Sequence, residues 1–405
     1  MSKSGLRAFL YKYFHYKKLY WIINVIVFNL LKLHPFRNDS IWIFGALGGN
    51  KYENNTRYLF EYVNKHDENI RCIWLSKNDE EIEKIRSHGF EAYSFYSLRG
   101  IYLALKAGVA LYTHGLHDFG KIPLVGGAKI ISLWHGFSFK QIYNYNYHGI
   151  NHYLKRFVDM FFSWTYRDYS MVTSNYTKQQ TIIEFSVKNP DTVFITGQAR
   201  NDVLFTDSDI IHNLKESGID FGRKRIILYM PTYRGKGQDD NTLEIIVSDL
   251  IRDSELNHFL ESNNFLFVIK LHPSTPSFSI PENDNFKIIN YWNISSNQEL
   301  LALGEMMITD YSGVFVDYAL LKRPILFYVP DEYEYTSFSG KLEQEHYIIS
   351  RLCRATTPAE LKKLLESPNN IVALKTNEIF ADQTIPDGKS CEMTYNVIMS
   401  EILKR

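Results

Sequence analysis

Residues 41–66 read IWIFGALGGNKYENNTRYLFEYVNKH, and this segment indicates the fold class. Its first four residues, Ile41–Phe44, form an apolar run that predicts a buried strand. Gly45, Gly48 and Gly49 then form a loop before the helical pattern of Tyr52–His66. The order strand, glycine-containing loop, helix is typical of one unit of a parallel α/β sheet.

Short apolar runs recur along the chain and alternate with helical stretches. In the first half they predict strands at Arg71–Leu75, Val109–Thr113, Lys129–Leu133, Ser170–Thr173 and Thr192–Ile195. In the second half they predict strands at Arg225–Tyr229, Phe265–Ile269, Met306–Thr309 and Pro324–Tyr328. We therefore expect two doubly wound α/β domains that face each other across a cleft at the C-terminal ends of both sheets.

The length of 405 residues supports more than one domain. We place a basic amphipathic segment at 1–40, a first α/β domain at 41–205 and a second at 206–405, whose last helix could pack back on the first domain. Basic and acidic residues number 45 each, which excludes a global charge that would recruit nucleic acid. The three cysteines lie far apart, which excludes a disulfide scaffold and favours a reducing setting.

The N-terminal segment is basic and amphipathic. Residues 1–40 carry seven basic side chains and one acidic one, a local net charge of +6. The apolar run Leu19–Leu31 would be about 20 Å long as a helix, too short to span a hydrocarbon core of about 30 Å. A polar arc holds Lys17, Lys18, Asn24, Asn29 and Lys32, and an apolar arc holds Leu19, Ile22, Ile23, Ile26, Val27 and Leu30. The pattern predicts a helix lying on an anionic membrane surface, and the alternative is a helix packed on the first domain.

An imidazole follows one strand of the first domain. Lys129–Leu133 runs into Trp134-His135-Gly136, which places His135 at the edge of the sheet. A histidine there could act as a general base, because its ordinary pKa of about 6.5 lets it accept a proton near neutral pH. The alternative is a histidine held by a loop carbonyl. His114 lies after Val109–Thr113 in an analogous position, so position alone does not choose between the two histidines.

Hydrogen-bond donors follow the strands of the second domain. The strand ends carry Lys270-Leu271-His272-Pro273, Pro231-Thr232-Tyr233-Arg234 and Asp310-Tyr311-Ser312-Gly313. Cationic and hydroxyl donors suit phosphate oxygens, and the helix that begins after Gly313 offers its N-terminus as well. Ordinary turns, with Ser312 as a helix cap, are the structural alternative. Asp317, one turn further on, could accept hydroxyl groups of a ligand.

A metal site has one weak candidate. Asp207-Ser208-Asp209 has the spacing of a divalent-ion motif, but it lies in the expected linker, where a helix cap explains an aspartate equally well. Lys270, Arg200 and Arg234 could neutralise a diphosphate without a metal. We therefore expect no metal and no other cofactor.

The motifs, in this order, resemble the CDP-glycerol glycerophosphotransferase family, the teichoic-acid glycerol-phosphate primases and polymerases of the GT-B architecture. The pieces that carry the resemblance are WHG at 134–136, GQARNDVL at 197–204, LYMPTYR at 228–234, KLHP at 270–273 and ITDYSGVFVD at 308–317, followed by Arg323-Pro324. The resemblance implies two Rossmann-like domains, an acceptor domain at 41–205 and a CDP-donor-binding domain at 206–405. It also implies a peripheral location on the cytoplasmic face of the bacterial cell membrane.

The resemblance also implies a reaction. Glycerol phosphate would pass from CDP-glycerol to a hydroxyl of a lipid-linked saccharide or of a growing teichoic-acid or capsule polymer, with release of CMP. His135 would be the base, and His272 with Lys270 would contact the donor diphosphate. The substrate-binding positions would be Gly136, Phe137, Ser138, Phe139, Arg200, Pro231, Thr232, Arg234, Lys270, Leu271, Ser312, Gly313 and Asp317.

Three departures from the family pattern leave the substrate alcohol open. The family commonly has Thr-Pro where this chain has Phe137-Ser138, Pro where it has Ala199, and Ser-Ser where it has Ser312-Gly313. The main alternative is an inverting GT-B glycosyltransferase that uses CDP-ribitol, CMP-sialic acid or another activated donor. A non-catalytic membrane adaptor with a degenerate nucleotide fold is the third interpretation.

Overall fold

The structure, a computed structural model, describes residues 20–137, 163–206, 221–234, 241–272, 274–276, 278, 280, 283–290, 297–339 and 342–405. Its first sheet contains β1 Asn38–Gly45, β2 Arg71–Ser76, β3 Ala92–Ser94, β4 Ala107–Tyr112, β5 Lys129–Ser132, β6 Tyr169–Val172 and β7 Val193–Ile195. Its second sheet contains β8 Arg225–Met230, β9 Phe265–Lys270, β10 Phe286–Ile289, β11 Met306–Thr309, β12 Ile325–Tyr328 and β13 Arg354–Ala355.

Helices cover both sheets. They are α1 at 20–32, α2 Asn54–His66, α3 Asp79–Ser87, α4 Leu98–Lys106, α5 Asn175–Glu184, α6 Thr242–Arg252, α7 Ser254–Ser262, α8 Asn297–Leu303, α9 Val314–Ala319, α10 Glu332–Ser339, α11 Gln344–Ser350, α12 Pro358–Glu366, α13 Ile371–Phe380 and α14 Ser390–Val397. A short 3-10 segment, Ala199–Phe205, follows the first sheet.

Both sheets have a doubly wound order. The first runs β3-β2-β1-β4-β5-β6-β7 and the second β10-β9-β8-β11-β12-β13, with parallel pairing throughout. In each sheet the order reverses beside the first strand, β1 or β8, and a crevice opens there at the carboxyl ends. We call the part around the first sheet the N-lobe and the part around the second the C-lobe.

The sequence predicts every central strand and misses three edge strands. β3, β10 and β13 lie at sheet edges and have two to four residues each. A polar residue, Ser94, Lys287 or Arg354, interrupts each of them, so none shows a continuous apolar run, whereas strands buried on both faces do.

The last helix packs on the N-lobe. Cys391 of α14, together with Ile398 and Ile402 of the π-helical segment Ile398–Leu403 that continues it, lies in the same apolar cluster as Trp42 of β1. The Tyr395 hydroxyl also donates to the Asp67 carboxylate at 2.6 Å. The chain therefore returns from the C-lobe to the N-lobe before it ends.

Helix α1 packs on the N-lobe in an orientation that the sequence did not predict. Phe28 and Asn24 are fully buried, so Asn24 does not join the lysines on an exposed polar arc as expected. The outer face consists of Ile22, Ile23, Ile26 and Leu30, each 44–62% exposed. One side of α1 therefore belongs to the N-lobe and the other presents an apolar ridge to solvent. In the part of the chain that the structure describes, no helix combines the length and apolarity needed to cross a bilayer.

A buried ion network fixes the strand ends of the C-lobe. The Arg234 guanidinium donates to Asp331 through Nε at 2.7 Å and to Asp310 through Nη1 at 2.8 Å. Asp310 also accepts the amide and hydroxyl hydrogens of Thr232. The guanidinium therefore ties the loop after β8 to the residues that follow β11 and β12.

Replacing Arg234 should destabilise the C-lobe strongly. Arg234→Met would leave the buried Asp310 and Asp331 carboxylates without their cation, at a cost of about 3–5 kcal/mol in the free energy of unfolding. Arg225→Met is the matched control, because Arg225 begins β8, the strand that precedes Arg234, and forms an exposed pair with Glu305. Its substitution should cost at most about 1 kcal/mol. Denaturant unfolding followed by circular dichroism measures both, and equal losses would contradict the assigned role.

Candidate active site

The loop after β5 presents the His135 side chain in a defined tautomer. Its Nδ1 lies 3.0 Å from the carbonyl oxygen of Thr113, which follows β4. A carbonyl oxygen only accepts, so Nδ1 carries the hydrogen and Nε2 carries the lone pair. Trp134 and Gly136, on either side, have φ values of 53° and 142°. For tryptophan this is an unfavourable conformation that surrounding contacts must hold.

A second imidazole stacks on the first. The rings of His114 and His135 lie 4.1 Å apart and 9° from parallel. Burial, chiefly, and the neighbouring His114 lower the pKa of His135 to about 3. Burial likewise lowers the pKa of His114 to about 4. Both rings are therefore neutral near pH 7. Because they stack on each other, His114 and His135 belong to one site rather than to two alternative sites.

One guanidinium joins the His135 loop to the C-lobe. Arg200 donates from Nη1 to the His135 carbonyl oxygen at 2.7 Å and to Asn54 Oδ1 at 3.0 Å. Its Nη2 donates to Asp317 Oδ2 at 2.6 Å, and both side chains are buried. Asp317 belongs to α9 of the C-lobe. Arg200 and Asp317, predicted to bind the donor, therefore bind each other in the structure.

Amide side chains complete this network. Asn201 Nδ2 donates to Asp317 Oδ1 at 2.9 Å, and Gln298 Nε2 donates to Asp317 Oδ2 at 3.3 Å. On the N-lobe side, Asn55 Nδ2 donates to the carbonyl oxygens of Leu133 and Trp134, each at 3.0 Å. The Asp317 carboxylate is thus fully coordinated by protein donors.

The two lobes also touch at Gly313. A Cβ atom added at Gly313 would overlap the carbonyl oxygen of Phe137, the residue that follows His135-Gly136. The φ of Gly313 is −74°, so glycine is required here for space rather than for conformation. The departure from the Ser-Ser pair of the resembled family is therefore the substitution that lets the His135 loop approach α9.

Lys270 lies buried at the end of β9, on the other side of the cleft. Burial, as the main cause, lowers the pKa of its ammonium to about 7, while the Glu53 carboxylate of the N-lobe raises it and Lys51 lowers it. Lys51 and Glu53 form an ion pair of 3.2 Å. Glu53 directly precedes Asn54, the partner of Arg200, so Lys270 faces the same stretch of the N-lobe as the network around His135.

His272 has the tautomer opposite to that of His135. The Ser274 amide donates to its Nδ1 at 3.1 Å, so Nδ1 carries the lone pair and Nε2 carries the hydrogen. The ring is exposed and stacks on Tyr233 with a centroid distance of 5.8 Å. The Nε2 atom of His272 can therefore donate a hydrogen bond, whereas the Nε2 atom of His135 can accept a proton.

The remaining predicted residues have supporting positions. Thr232 and Arg234 direct their donors to Asp310 and Asp331, and Pro231 and Leu271 are buried beside them. Ser312 Oγ accepts from the Val314 amide at 3.3 Å. Gly313, not Ser312, is the N-cap of α9, a helix of only six residues. Ser138 and Phe139 lie outside the described residues, as do Asp207 and Asp209.

Several residues of the site were not predicted from sequence. Asp118, fully buried, accepts the amide hydrogens of Gly48, Thr113 and His114 and so joins the loops after β1 and β4. Asn54 was also missed; its side chain accepts from Arg200, and its φ of 72° is one that asparagine adopts more readily than most other residues. Among the described residues, no three His, Cys, Asp or Glu side chains converge as metal ligands.

Known proteins related in sequence point to one family. Residues 26–400 match the family described as CDP-Glycerol:Poly(glycerophosphate) glycerophosphotransferase. The chain is 28% identical over 336 residues to a teichoic acid poly(glycerol phosphate) polymerase of Bacillus spizizenii, covering 78% of this chain and 80% of that protein. It is 24% identical over 312 residues to the polymerase of the same description from Staphylococcus epidermidis, covering 71% of this chain but 40% of that protein.

A solved structure supports the fold. The wall teichoic acid polymerase TagF superposes with a TM-score of 0.71 at 20% identity, and the match covers 98% of each chain. The likeness, together with the two doubly wound sheets, confirms the prediction of a GT-B-like architecture with two parallel-sheet α/β domains.

Proposed function

This chain belongs to the CDP-glycerol:poly(glycerophosphate) glycerophosphotransferase family, as its motifs predicted, and on that premise we propose its reaction. The enzyme transfers glycerol phosphate from CDP-glycerol to a hydroxyl of a lipid-linked saccharide or of a growing teichoic-acid or capsule polymer, and releases CMP. The observation that carries the proposal is the contact of the His135 loop with the start of α9, opposite the Lys270 strand end.

His135 is the proposed general base. Its Nε2 lone pair takes the proton of the acceptor hydroxyl while the oxygen attacks the phosphorus that bears glycerol. The bond from that phosphorus to the bridging oxygen breaks, and CMP leaves with the electron pair. A pKa of about 3 keeps the imidazole unprotonated before the donor binds, and the negative charge of a bound diphosphate raises that pKa during the reaction.

The C-lobe supplies the proposed anion site. Lys270 offers an ammonium group and His272 an Nε2–H donor, both suited to phosphate oxygens. The ion pair of Arg200 with Asp317 holds the His135 loop against α9, and Arg234 and Thr232 fix the loop after β8 through their hydrogen bonds to Asp310. We propose that the Lys270 ammonium and the His272 donor bind the diphosphate without a metal ion. Turnover should therefore be unchanged in excess EDTA.

Removing either imidazole should impair turnover in different ways. His135→Ala should lower kcat by about 100 to 10,000-fold, because the base is lost, with little change in donor affinity. His272→Ala should lower kcat by about 100 to 1000-fold, because a donor to the developing charge is lost. His88→Ala, an exposed histidine after α3, is the control and should match the wild type.

The assay follows nucleotide release from CDP-glycerol, CDP-ribitol, CMP-sialic acid and UDP-sugars. Each donor is tested with a lipid-linked saccharide and with a teichoic-acid polymer as acceptor. CMP release from CDP-glycerol at near wild-type rate in His135→Ala would contradict the role of His135. Turnover with only CMP-sialic acid or a UDP-sugar would instead favour the glycosyltransferase alternative, and nucleotide binding without turnover would favour the adaptor.

Donor binding should weaken as the pH rises above 7. Burial lowers the pKa of Lys270 to about 7, so its ammonium loses the proton above that pH and must regain it to bind a diphosphate. The Kd of CDP-glycerol should rise about fivefold between pH 7 and pH 8, in calorimetry without acceptor. Lys270→Arg should bind with a pH-independent Kd, because arginine stays protonated. A wild-type Kd that is equally flat would contradict the assignment.

We also propose that the apolar ridge of α1 docks on an anionic membrane at its cytoplasmic face, where a lipid-linked acceptor lies. The ridge residues are exposed although they are large and apolar. Burying them in the headgroup layer removes this surface from water, and the basic residues of segment 1–40 add attraction to anionic lipids.

Polar substitutions on the ridge should release the protein from membranes. In the full chain, Ile23→Asn/Ile26→Asn/Leu30→Asn should lower cosedimentation with anionic vesicles about tenfold or more, because burial of apolar area is lost. Ile245→Asn, which changes a comparably exposed isoleucine of α6 in the C-lobe, is the control. Binding of the triple variant at the wild-type level would contradict membrane docking through α1.

A further inference from the structure

A cavity in the N-lobe lies directly behind the His135 loop. It has an empty volume of about 580 Å³, including its open mouth. Strands β5 and β6 and the inner face of α5 line it, and Trp134, Gly136 and Phe137 form its border with the cleft. Every described lining residue belongs to the N-lobe, so a molecule bound here would lie beside Trp134 and Gly136, the two neighbours of His135 in the chain.

Aromatic rings form one wall of this cavity. Trp134 and Phe185 meet edge to face with a centroid distance of 5.1 Å, and the Trp134 ring lies 4.4 Å from the His135 ring. Aromatic faces next to hydrogen-bonding groups suit ligands that combine C–H surfaces with hydroxyl groups. A ligand packed on Trp134 would be one ring away from the proposed base.

Polar groups line the opposite side. Gln180, Thr181 and Glu184 lie on one face of α5 and line the cavity. Ser132 of β5 also lines the cavity and is 1% exposed, and its hydroxyl has no hydrogen-bond partner within the described part of the chain. A buried hydroxyl without a partner is costly, and a ligand hydroxyl would satisfy it.

The charge of the cavity selects between ligand classes. Arg167 and Glu184 are the ionisable residues among its described lining residues, and their charges cancel. The Arg167 guanidinium lies 3.6 Å from the centroid of the Phe185 ring. A lining with no net charge favours a neutral polyhydroxyl ligand over a phosphate, which would have to approach the Glu184 carboxylate.

We propose that this cavity binds a neutral pyranose unit of the acceptor, so that the acceptor is a saccharide rather than the anionic end of a phosphate polymer. The inference rests on the proposed function, which supplies the donor and the base. It assigns the enzyme to the addition of glycerol phosphate to a sugar hydroxyl, with Trp134, Phe185 and Thr181 as residues that recognise the sugar.

Direct binding tests the cavity without any turnover. NMR titration of the full chain with a methyl disaccharide glycoside should show saturable binding. Phe185→Leu should weaken it about tenfold, because the aromatic contact is lost. Thr181→Val, of nearly equal volume, should weaken it about three to tenfold through the lost hydroxyl. Ile183→Ala, on the exposed face of the same helix, is the control and should bind as the wild type.

Three outcomes would overturn the proposal: no binding to the wild type, wild-type affinity in both Phe185→Leu and Thr181→Val, or displacement of the glycoside by a glycerol phosphate trimer. In turnover, Phe185→Leu should raise the KM of the saccharide about tenfold and leave the Kd of CDP-glycerol unchanged. If the glycoside binds as expected but CDP-glycerol is not consumed, the proposed function fails while the saccharide site stands.

Discussion

The ion pair between Arg200 and Asp317 is the contact on which the geometry of the cleft depends. One guanidinium holds the His135 carbonyl of the N-lobe and the Asp317 carboxylate of the C-lobe at the same time. Burying two charges costs free energy unless further hydrogen bonds satisfy them. Asn201 and Gln298 supply those bonds to Asp317, and Asn54 accepts one from Arg200. The orientation of the proposed base is therefore coupled to the position of a helix in the other lobe.

Exclusion of water explains the electrostatics on both sides of the cleft. Burial lowers the pKa of His135 and that of Lys270, because it disfavours the charged form of each. A diphosphate in the cleft would reverse this effect, since its charge stabilises the ammonium and the imidazolium. Burial thus leaves the site with less positive charge than its sequence suggests, and a bound donor would restore the charge that the proposed reaction needs.

Much of the fold could be predicted because it depends on apolar runs. Central strands such as β8 are buried on both faces after their first residue, so their sequences are almost continuously apolar, whereas the edge strands Ala92–Ser94 and Arg354–Ala355 are interrupted by a polar residue. Helix α1 was predicted as amphipathic, but its buried side includes Asn24. A helical pattern alone does not indicate which face the rest of the protein covers.

The part of the site that lies at strand ends could be predicted, because the carboxyl ends of parallel strands meet at one edge of a sheet. That rule brought His135, Lys270 and His272 to the cleft as candidates. It did not reveal their partners, because the pairing of Arg200 with Asp317 spans 117 positions of sequence and the amides of Asn55 and Gln298 resemble ordinary helix-start residues. Roles for Arg234 and Thr232 also depend on Asp310 and Asp331, which only the three-dimensional structure brings beside them.

The most direct test is a crystal structure of the wild-type protein with CDP-glycerol bound. We expect the diphosphate between the lobes, with the Lys270 ammonium and His272 Nε2 at hydrogen-bonding distance from phosphate oxygens and the glycerol-bearing phosphorus facing His135 Nε2. A diphosphate bound away from Lys270 and His272, or one that leaves the His135 ring on the far side of the cytidine, would contradict the account.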